Sequence, residues 1–313
     1  MLSRTADNLF WFARYIERAD NTARILEAAH RLSAMPITYS GSTNEWESAV
    51  AATGNLAAFA AKYPEASADN VVQFLAFSPS NPSSIKMCVE TARANARAVR
   101  TALTGVMWEA INGAWLDLRR ADGGNMRRSV VTDFLSRVKE ASLRLDGSAY
   151  RTMLRSDAYF FFRLGVMIER ADNTARILDV KYHLLLPEYA NVGGGLDYYQ
   201  WTSILRTVSA HTAYHWVYRQ SVKPWLVADL LVLKAEMPRS LAACYDVIRE
   251  TLDQLGSAYG RQGPAQRLAR SIRTKLANAS IEGIFQSGLH EFLTAFVQEN
   301  AELGQAIIDQ YLS

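Results

Sequence analysis

One eleven-residue segment, IERADNTARIL, occurs twice in this chain without a single change, at residues 16–26 and again at residues 168–178. Internal self-similarity of this kind constrains the architecture before any local signal is considered. A helix that is duplicated only to pack against a core needs to keep its apolar pattern, yet here every charged residue is kept as well. The polar residues of the repeat therefore have a role that apolar patterning does not require.

The similarity between the two parts of the chain continues more weakly on both sides of this segment. Matching pairs include Ala6/Ala158, Phe10/Phe162, Trp46/Trp201, Pro82/Pro238, Ser84/Ser240 and Cys88/Cys244, and the offset between partners rises from 152 to 156. Small insertions in the loops between shared helices produce such a drift. We predict two related halves, residues 1–150 and 151–313, that form one compact domain with pseudo-twofold symmetry. A solenoid is not expected, because it needs at least about three stacked units.

Helical periodicity covers most of the chain, and no segment alternates in the way that a half-buried strand does. Short stretches rich in Gly, Pro and Ser separate the periodic segments. The predicted helices span residues 4–31, 44–61, 83–104, 106–119, 129–146, 155–186, 198–219, 239–255, 265–279 and 281–310. Ser83 or Ser84 is expected to cap the helix that follows Pro82. The predicted fold class is all-α, a multi-helix bundle.

Composition excludes several classes of protein. A net charge of +3 is too small to indicate binding to nucleic acid or to an anionic membrane. No window approaches the eighteen apolar residues of a membrane span, and the charged N-terminus does not resemble a secretory signal. Cys88 and Cys244 are expected to be small buried hydrophobes rather than a disulfide or metal pair. We expect a cytoplasmic protein with no cofactor, metal, nucleic acid or membrane partner.

On a helical wheel, the repeated segment separates into an apolar stripe and a polar arc. Glu17, Asp20, Asn21 and Arg24 fall in the arc, whereas Arg18 lies on a flank that is mostly apolar. The second copy repeats this arrangement. The candidate ligand- or partner-binding residues are therefore Glu17, Arg18, Asp20, Asn21, Arg24, Glu169, Arg170, Asp172, Asn173 and Arg176. None of them is assigned a catalytic role.

Three interpretations of these residues are open. The simplest is a solvent-exposed face with an Asp20–Arg24 pair, which adds only a few tenths of a kcal/mol. The apolar strings LFWF and YFFF beside the two copies indicate instead that both helices lie centrally and pack near each other. Buried arginines must then be paired with carboxylates, so we predict a structural network for Arg18 and Arg170. For the polar arc, four convergent groups favour a binding site.

Other candidate chemistry is weaker. His211 and His215 have the spacing of two zinc ligands on one helix, but the glutamate of the metalloprotease pattern is missing, which favours an ordinary histidine pair. A basic stripe at Arg267, Arg270, Arg273 and Lys275 is expected to be a solvated face, with an acidic partner or an anionic substrate channel as the alternative. RNA binding is not expected there, because no aromatic residues accompany the stripe.

The chain as a whole resembles the bacterial alpha-E family, which is predicted to be all-helical and is named for its Glu-Arg motif. The resemblance is carried by the two ERADNTAR segments, by LRSDAYFFFRLG before the second, and by the SPSNPSSI and MWEAIN stretches. It extends over essentially the whole length. The Glu-Arg motif maps onto Glu17-Arg18 and Glu169-Arg170, and no catalytic assignment comes with it.

The resemblance also implies partners. Members of this family tend to be encoded beside, or fused to, circularly permuted ATP-grasp-type ligases and transglutaminase-like peptidases. It therefore implies a non-catalytic helical partner, or a substrate-binding subunit, of an amidoligase system that makes or modifies a peptide or amide. The alternative is an enzyme in the same pathway, with Glu17 or Glu169 as acid or base and Arg24 or Arg176 as the anion-binding group. The sequence has no nucleophile–base pair, metal set or cofactor loop, which favours the first function.

Overall fold

The computed structural model describes residues 1–34, 44–121, 124, 127–184 and 195–312, and every regular element in these ranges is helical. The α-helices are α1 (Ser3–Leu32), α2 (Glu45–Ala52), α3 (Leu56–Ala60), α4 (Ala68–Val72), α5 (Ile85–Ala98), α6 (Gly105–Arg120), α7 (Arg128–Thr152), α8 (Asp157–Leu184), α9 (Gly195–Thr207), α10 (His211–Tyr218), α11 (Pro224–Val232), α12 (Leu241–Ala258), α13 (Pro264–Asn278), α14 (Ile281–Ser287) and α15 (Leu289–Ile307). Short π-helical turns lie at Gln73–Phe77 and Ile308–Leu312, and a 3₁₀ turn lies at Arg100–Ala102. The predicted all-α class is confirmed. Residues 185 and 186 of one predicted helix lie outside the described residues.

The two copies of the repeat lie on α1 and α8, which pack against each other more extensively than any other two helices of the described ranges. Contacts advance in the same direction along both helices, from the Phe12 and Phe162 rings to the Glu17–Arg170 ion pair. The helices therefore run side by side in the same direction. Residues 19–26 of α1 are all buried. The prediction that the two motif helices are central neighbours is confirmed.

A glycine allows this close approach. A Cβ atom at Gly165 would lie only 2.3 Å from the carbonyl oxygen of Phe10 and 2.9 Å from the Cβ of Ala13. Because glycine has no Cβ, the backbone of α1 fits against α8 at this point. The contact lies one turn before Glu169 on α8, so it sets how near the two polar arcs come to each other.

The remaining helices surround the central pair. Against α1 lie α5 and α7, against α8 lie α12 and α15, and α2 and α9 contact both central helices. A further layer is formed by α6 against α5 and α7, and by α13 against α12 and α15. The central helices are thus covered on most sides, which explains why polar residues on them meet side chains rather than water.

Two loops with the same hydrogen bonds lead into α5 and α12. Ser84 and Ser240 are the N-caps of these helices, and each hydroxyl accepts from the backbone N–H three residues later. Each hydroxyl also donates to the carbonyl six residues earlier, that of Ser78 at 2.9 Å and that of Lys234 at 2.6 Å. A serine at this position satisfies backbone groups that the helix leaves open. Of the two predicted caps, Ser84 is the one that forms.

Two predicted helices are wrong by six residues at one end, since α5 ends at Ala98 instead of 104 and α7 ends at Thr152 instead of 146. Three others are each divided in two by a single residue with left-handed backbone. The helix at 44–61 is broken at Gly54 (φ +70°), the one at 198–219 at Ser209 (φ +59°), and the one at 281–310 at Gly288 (φ +98°). A left-handed residue turns the chain away from the helix axis. In addition, α4 and α11 lie outside the predicted helices. The sequence of α11 is almost wholly apolar, so no helical period is visible in it.

Two other predictions concern the whole chain. The pseudo-twofold relation between the halves and the boundary at residue 150 stay predictions. The boundary falls inside α7, two residues before that helix ends at Thr152. Among the helices of the described ranges, none combines the length and the apolar character that crossing a membrane requires.

Candidate functional site

The centre of the molecule holds two glutamates, each bound by the arginine of the other copy of the repeat. Arg170 donates from Nε and Nη2 to the two carboxylate oxygens of Glu17, both at 2.9 Å. In the reverse direction, Arg18 donates to Glu169 from Nε at 2.6 Å and from Nη2 at 3.1 Å. Both pairs have the two-bond geometry in which a guanidinium fits a carboxylate best. The two Glu-Arg motifs therefore bind each other across the helix interface.

A second arginine approaches each glutamate from elsewhere in the chain. Arg239, in the loop before α12, donates to Oε1 of Glu17 at 3.0 Å, the oxygen that also accepts from Nε of the motif arginine. Arg14, on α1, donates to Oε2 of Glu169 at 2.8 Å, the oxygen that also accepts from Nη2 of the motif arginine. Neither Arg14 nor Arg239 is among the candidates from sequence. Each glutamate thus has a motif arginine as one partner, and its second partner is Arg239 for Glu17 and Arg14 for Glu169.

Burial and the arginines act in opposite directions on these carboxyl groups. Each glutamate has only 2% of its surface exposed, and burial raises the pKa of a carboxyl group. For Glu17, the attraction of Arg170 and Arg239 outweighs burial and lowers the pKa from 4.5 to about 2. The pKa of Glu169 is likewise lowered, because Arg14 and Arg18 outweigh burial. Both glutamates are therefore ionised at neutral pH.

In the first copy, Asp20 and Arg24 are covered by residues from other parts of the chain. Asp20 accepts from Nε of Arg24 at 2.7 Å and from Nη2 of Arg239 at 2.9 Å. The outer end of Arg24 donates to the hydroxyl of Ser209 at 2.9 Å and to the carbonyl of Thr207 at 3.3 Å. Arg239 and Ser209 thus occupy the positions from which a ligand would approach Asp20 and Arg24.

In the second copy, the matching acid and arginine border an open cleft. Asp172 accepts from Nε of Arg176 at 2.7 Å. Their side chains are 19% and 37% exposed, against 1% and 10% for Asp20 and Arg24. Burial raises the pKa of Asp172, and the opposing attraction of Arg176 does not cancel this effect. The aspartate–arginine pair of the motif is therefore buried in the first copy and accessible from the cleft in the second.

Two small residues explain this difference. Ser83 matches Arg239 at an offset of 156 residues, and Gly54 matches Ser209 at an offset of 155. Gly54 and Ser209 both have left-handed backbone, and both lie against the outer end of a motif arginine. A Cβ atom at Gly54 would be 3.3 Å from Nη1 of Arg176. Ser83 has a small side chain and Gly54 has none. In the second copy they therefore leave open the space that Arg239 and Ser209 fill in the first.

The cleft has a volume of about 290 Å³ and a mainly polar lining. Asn173, a residue with 6% of its surface exposed, lines the cleft, and its buried Nδ2 has no hydrogen-bond partner among the described residues. A buried donor without a partner is unusual in proteins. Six of the ten candidates from sequence line the cleft, namely Arg18, Asn21, Glu169, Asp172, Asn173 and Arg176. The other four, Glu17, Asp20, Arg24 and Arg170, lie in the closed network.

A model of a known protein family matches almost the whole chain. Residues 1–312 match the model of Alpha-E, described as a predicted alpha-helical domain with a conserved ER motif. The chain belongs to the Alpha-E family. Its two ER sequences, Glu17-Arg18 and Glu169-Arg170, are the four residues of the reciprocal ion pairs. No curated protein and no solved structure matches the chain.

The burial of the two motif arginines in this Alpha-E chain was predicted from their apolar flank. Arg170 is buried and paired with Glu17, as predicted. Arg18 is also paired with Glu169 and is largely buried, as predicted, but it is more exposed than Arg170, with 25% of its side chain accessible against 11%. Arg18 borders the cleft, and its Nη1 lies 3.5 Å from the hydroxyl of Ser83. The cleft therefore accounts for the difference between the two arginines.

The other residues singled out in the sequence are the histidine pair, the basic stripe and the two cysteines. The rings of His211 and His215 lie edge to face, with centroids 4.8 Å apart. No group of three or more His, Cys, Asp or Glu side chains in the described ranges could hold a metal ion. In the basic stripe of the Alpha-E chain, Arg270, Arg273 and Lys275 form ion pairs with acids on α12 and α15. Both cysteines are fully buried and unbridged, as predicted.

Proposed function

We propose that this Alpha-E chain is a non-catalytic binding subunit of an amide-forming system, and that the open cleft beside Asp172 and Arg176 is its binding site. The observation that carries the proposal is the contrast between two identical copies of one motif, of which one is closed by Arg239 and Ser209 and the other is open. A volume of about 290 Å³ lies at the lower end of the range of small-molecule sites. It offers room for a small metabolite or for one side chain of a partner.

We further infer that the two copies belong to two related halves, residues 1–150 and 151–313, with an approximate twofold axis between α1 and α8. The ion pairs between the motifs support this inference, since such an axis exchanges one pair with the other. Ala13 and Gly165 match at an offset of 152 residues and lie face to face, as residues beside such an axis do. The equivalent caps at Ser84 and Ser240 add to this support. The halves then form one domain, because each contributes one central helix.

The alternative function, an enzyme that uses the motif for acid–base catalysis, has less support. Every carboxylate oxygen of Glu17 and Glu169 accepts hydrogen bonds from arginine. A carboxylate with a pKa of about 2 is a poor base, and it cannot act as an acid at neutral pH. If the chain is catalytic, Asp172 is the better acid–base group, because it borders the cleft and its pKa is raised by burial.

The family resemblance provides the expected partner, a circularly permuted ATP-grasp-type ligase, with a transglutaminase-like peptidase as a second candidate. A ligase of this type uses ATP to join a carboxylate to an amine. A binding subunit would present one of the two substrates to it or hold the growing product. Because such a system consumes ATP, we expect the complex to work in the cytoplasm.

Reconstitution with a circularly permuted ATP-grasp-type ligase from the same organism tests the proposal. We expect the purified chain to co-purify with the ligase and to raise the rate of ATP consumption. Asp172→Asn should fold normally and reduce this stimulation by about tenfold or more, because it removes a charge from the cleft without changing its shape. The matched control is Asp20→Asn in the closed copy, which should leave the stimulation per folded molecule unchanged.

Two outcomes would contradict the proposal in different ways. A ligase that neither co-purifies with the chain nor changes its rate of ATP consumption would rule out the expected partnership. Turnover of a ligase substrate by the purified chain alone, lost in Asp172→Asn, would instead establish the enzymatic alternative.

A further inference from the structure

We propose that the cleft recognises a guanidinium or primary ammonium cation, which takes in the second copy of the motif the place that Arg239 takes in the first. This inference deepens the proposed function, on which it rests, by naming the charge of the ligand. The cation belongs either to a free amino compound or to a side chain that another molecule inserts.

Arg239 serves as the template, because it is a cation bound by the motif of the first copy. Its Nη1 donates to Glu17 at 3.0 Å and its Nη2 donates to Asp20 at 2.9 Å. One guanidinium thus bridges two acids that lie three residues apart, and therefore on the same face of α1. The hydroxyl of Thr174 holds the loop in place by donating to the carbonyl of Arg239 at 2.9 Å.

The second copy has the same pair of acids, Glu169 and Asp172, with fewer partners. Oε1 of Glu169 corresponds to the oxygen that Arg239 binds in the first copy, because it is the oxygen that accepts from Nε of the motif arginine. Arg14 binds the other oxygen, Oε2. Among the described residues, Asp172 accepts from Arg176 alone. A cation in the cleft would therefore bridge both acids in the way that Arg239 bridges Glu17 and Asp20.

An anion would fit this cleft less well. Arg18 and Arg176 are the cations at its border, and both already donate to an acid of the motif. An anionic ligand that carries no cationic group would lie beside the carboxylates of Glu169 and Asp172, and the arginines that it could reach already donate to those acids. The raised pKa of Asp172 reflects the same imbalance, since burial disfavours its charge more than Arg176 favours it. A second cation beside Asp172 would correct that imbalance.

Two further donors indicate that the cation carries an acceptor group. Nδ2 of Asn173 is buried and has no partner among the described residues. Nη1 of Arg176 lies close to Gly54, which has no hydroxyl to accept from it as Ser209 does from Arg24 in the first copy. A carbonyl or carboxylate oxygen on the ligand would accept from these donors. A basic amino acid has both features.

Isothermal titration calorimetry on the full chain with L-arginine, L-lysine and L-citrulline tests the proposal. Citrulline has nearly the shape of arginine but carries an uncharged ureido group. We expect L-arginine or L-lysine to bind saturably to one site, and citrulline to bind about tenfold more weakly or not at all. N-acetyl-arginine amide distinguishes the sources of the cation. Stronger binding of this blocked compound than of free arginine indicates a side chain of a partner, and weaker binding indicates a free amino acid.

Three substitutions locate the binding. Ser83→Arg places a guanidinium at the position that matches Arg239, so this variant should lose arginine binding and should melt at a higher temperature than the unliganded wild type. Asp172→Asn should weaken arginine binding by about tenfold, because it removes the acid that faces the cleft. Asp20→Asn, its counterpart in the closed copy, should leave the affinity within about twofold, because Asp20 does not line the cleft.

Several results would overturn the proposal. They are the absence of binding by every cationic probe at millimolar concentration, equal affinity for arginine and citrulline, and unchanged affinity in Asp172→Asn. If Ser83→Arg does not fold, Asp172→Asn decides the question. None of these results bears on the partnership with the ligase, which is measured by co-purification and ATP consumption. Conversely, arginine binding without any effect on the ligase would overturn the proposed function and leave the cation site standing.

Discussion

Removal of Arg170 is the most direct test of the reciprocal ion pairs, because it leaves a buried carboxylate without its main partner. We expect Arg170→Met, which keeps much of the side-chain volume, to lower the free energy of unfolding by about 3 kcal/mol at neutral pH. Glu17 would keep only Arg239 as a direct hydrogen-bonding partner, at 3.0 Å. This substitution therefore tests whether the Glu-Arg motif stabilises the fold.

The expected magnitude follows from the surroundings of Glu17. Arg170 is the largest of the attractions that hold the pKa of Glu17 below its usual value against burial. Breaking a buried ion pair by removing one partner destabilises proteins by about 3–5 kcal/mol. Because Arg239 remains in place, the lower end of that range applies.

Urea unfolding followed by circular dichroism, at pH 7 and at pH 4, provides the assay. In the wild type, the pKa of Glu17 is lower in the folded chain than in the unfolded chain. Its contribution to stability is therefore present above pH 4.5 and is lost as the pH falls from 4.5 towards about 2. In Arg170→Met, the pKa of Glu17 should be higher, so that protonation relieves the buried charge already at pH 4. The difference between variant and wild type should therefore be smaller at pH 4 than at pH 7.

Two controls accompany this measurement. Arg31→Met removes an arginine whose ion pair with Glu27 has side chains about one third exposed, and should cost less than about 1 kcal/mol. In the double variant Glu17→Gln/Arg170→Met, the difference from Glu17→Gln should depend less on pH, because Glu17 no longer titrates and Asp146, 3.7 Å from Arg170, is the remaining acid paired with it. A loss for Arg170→Met no larger than that for Arg31→Met would refute the reasoning, and so would a loss that is the same at both pH values.

Three further predictions concern the helix pair α1 and α8 and the cleft beside it. Arg18→Met should cost less than Arg170→Met, roughly 1–2 kcal/mol by urea unfolding, because Arg18 is partly exposed and Arg14 stays on Glu169; an equal or larger loss would contradict this order. Gly165→Ala should destabilise the chain by about 3 kcal/mol or more, since its Cβ would lie 2.3 Å from a backbone oxygen of α1; a wild-type melting temperature would show that the helices do not approach this closely. Gly54→Ala should cost about 1–2 kcal/mol because of its left-handed backbone, whereas the same change at Gly113, which has open space and ordinary helical backbone, should be neutral or stabilising.

Much of the central fold could be predicted from the repeat. An identical polar pattern on two helices with strongly apolar flanks indicated two central neighbours, and the arginine on the apolar flank indicated ion pairs. The breaks at Gly54 and Ser209 could not be read from periodicity, because the apolar pattern continues on both sides of each break. In particular, serine rarely adopts a left-handed backbone, so nothing in the local sequence marks Ser209 as the end of a helix.

The residues that distinguish the two copies were missed for a different reason. Helical wheels place side chains around one helix, whereas Arg239 reaches Glu17 from a loop more than 200 positions away. A signal for it was present, since Arg239 stands between Pro238 and Ser240, both of which match the first half, while Ser83 stands at its own matching position. The difference between Ser83 and Arg239, at positions whose neighbours match, is the sequence signal for this arginine.

The reciprocal ion pairs also account for the identity of the repeat. Because Glu17 binds Arg170 and Glu169 binds Arg18, a change in either copy removes a partner from the other, so the two motifs are constrained jointly. Ser83 and Arg239 lie outside the repeat and are free of this constraint. One copy could therefore become closed by an arginine of the chain while the other stayed open, although the motif itself did not change. On this reasoning the motif supplies a rigid pair of acids, and the loop before the next helix decides whether those acids bind the chain or a ligand.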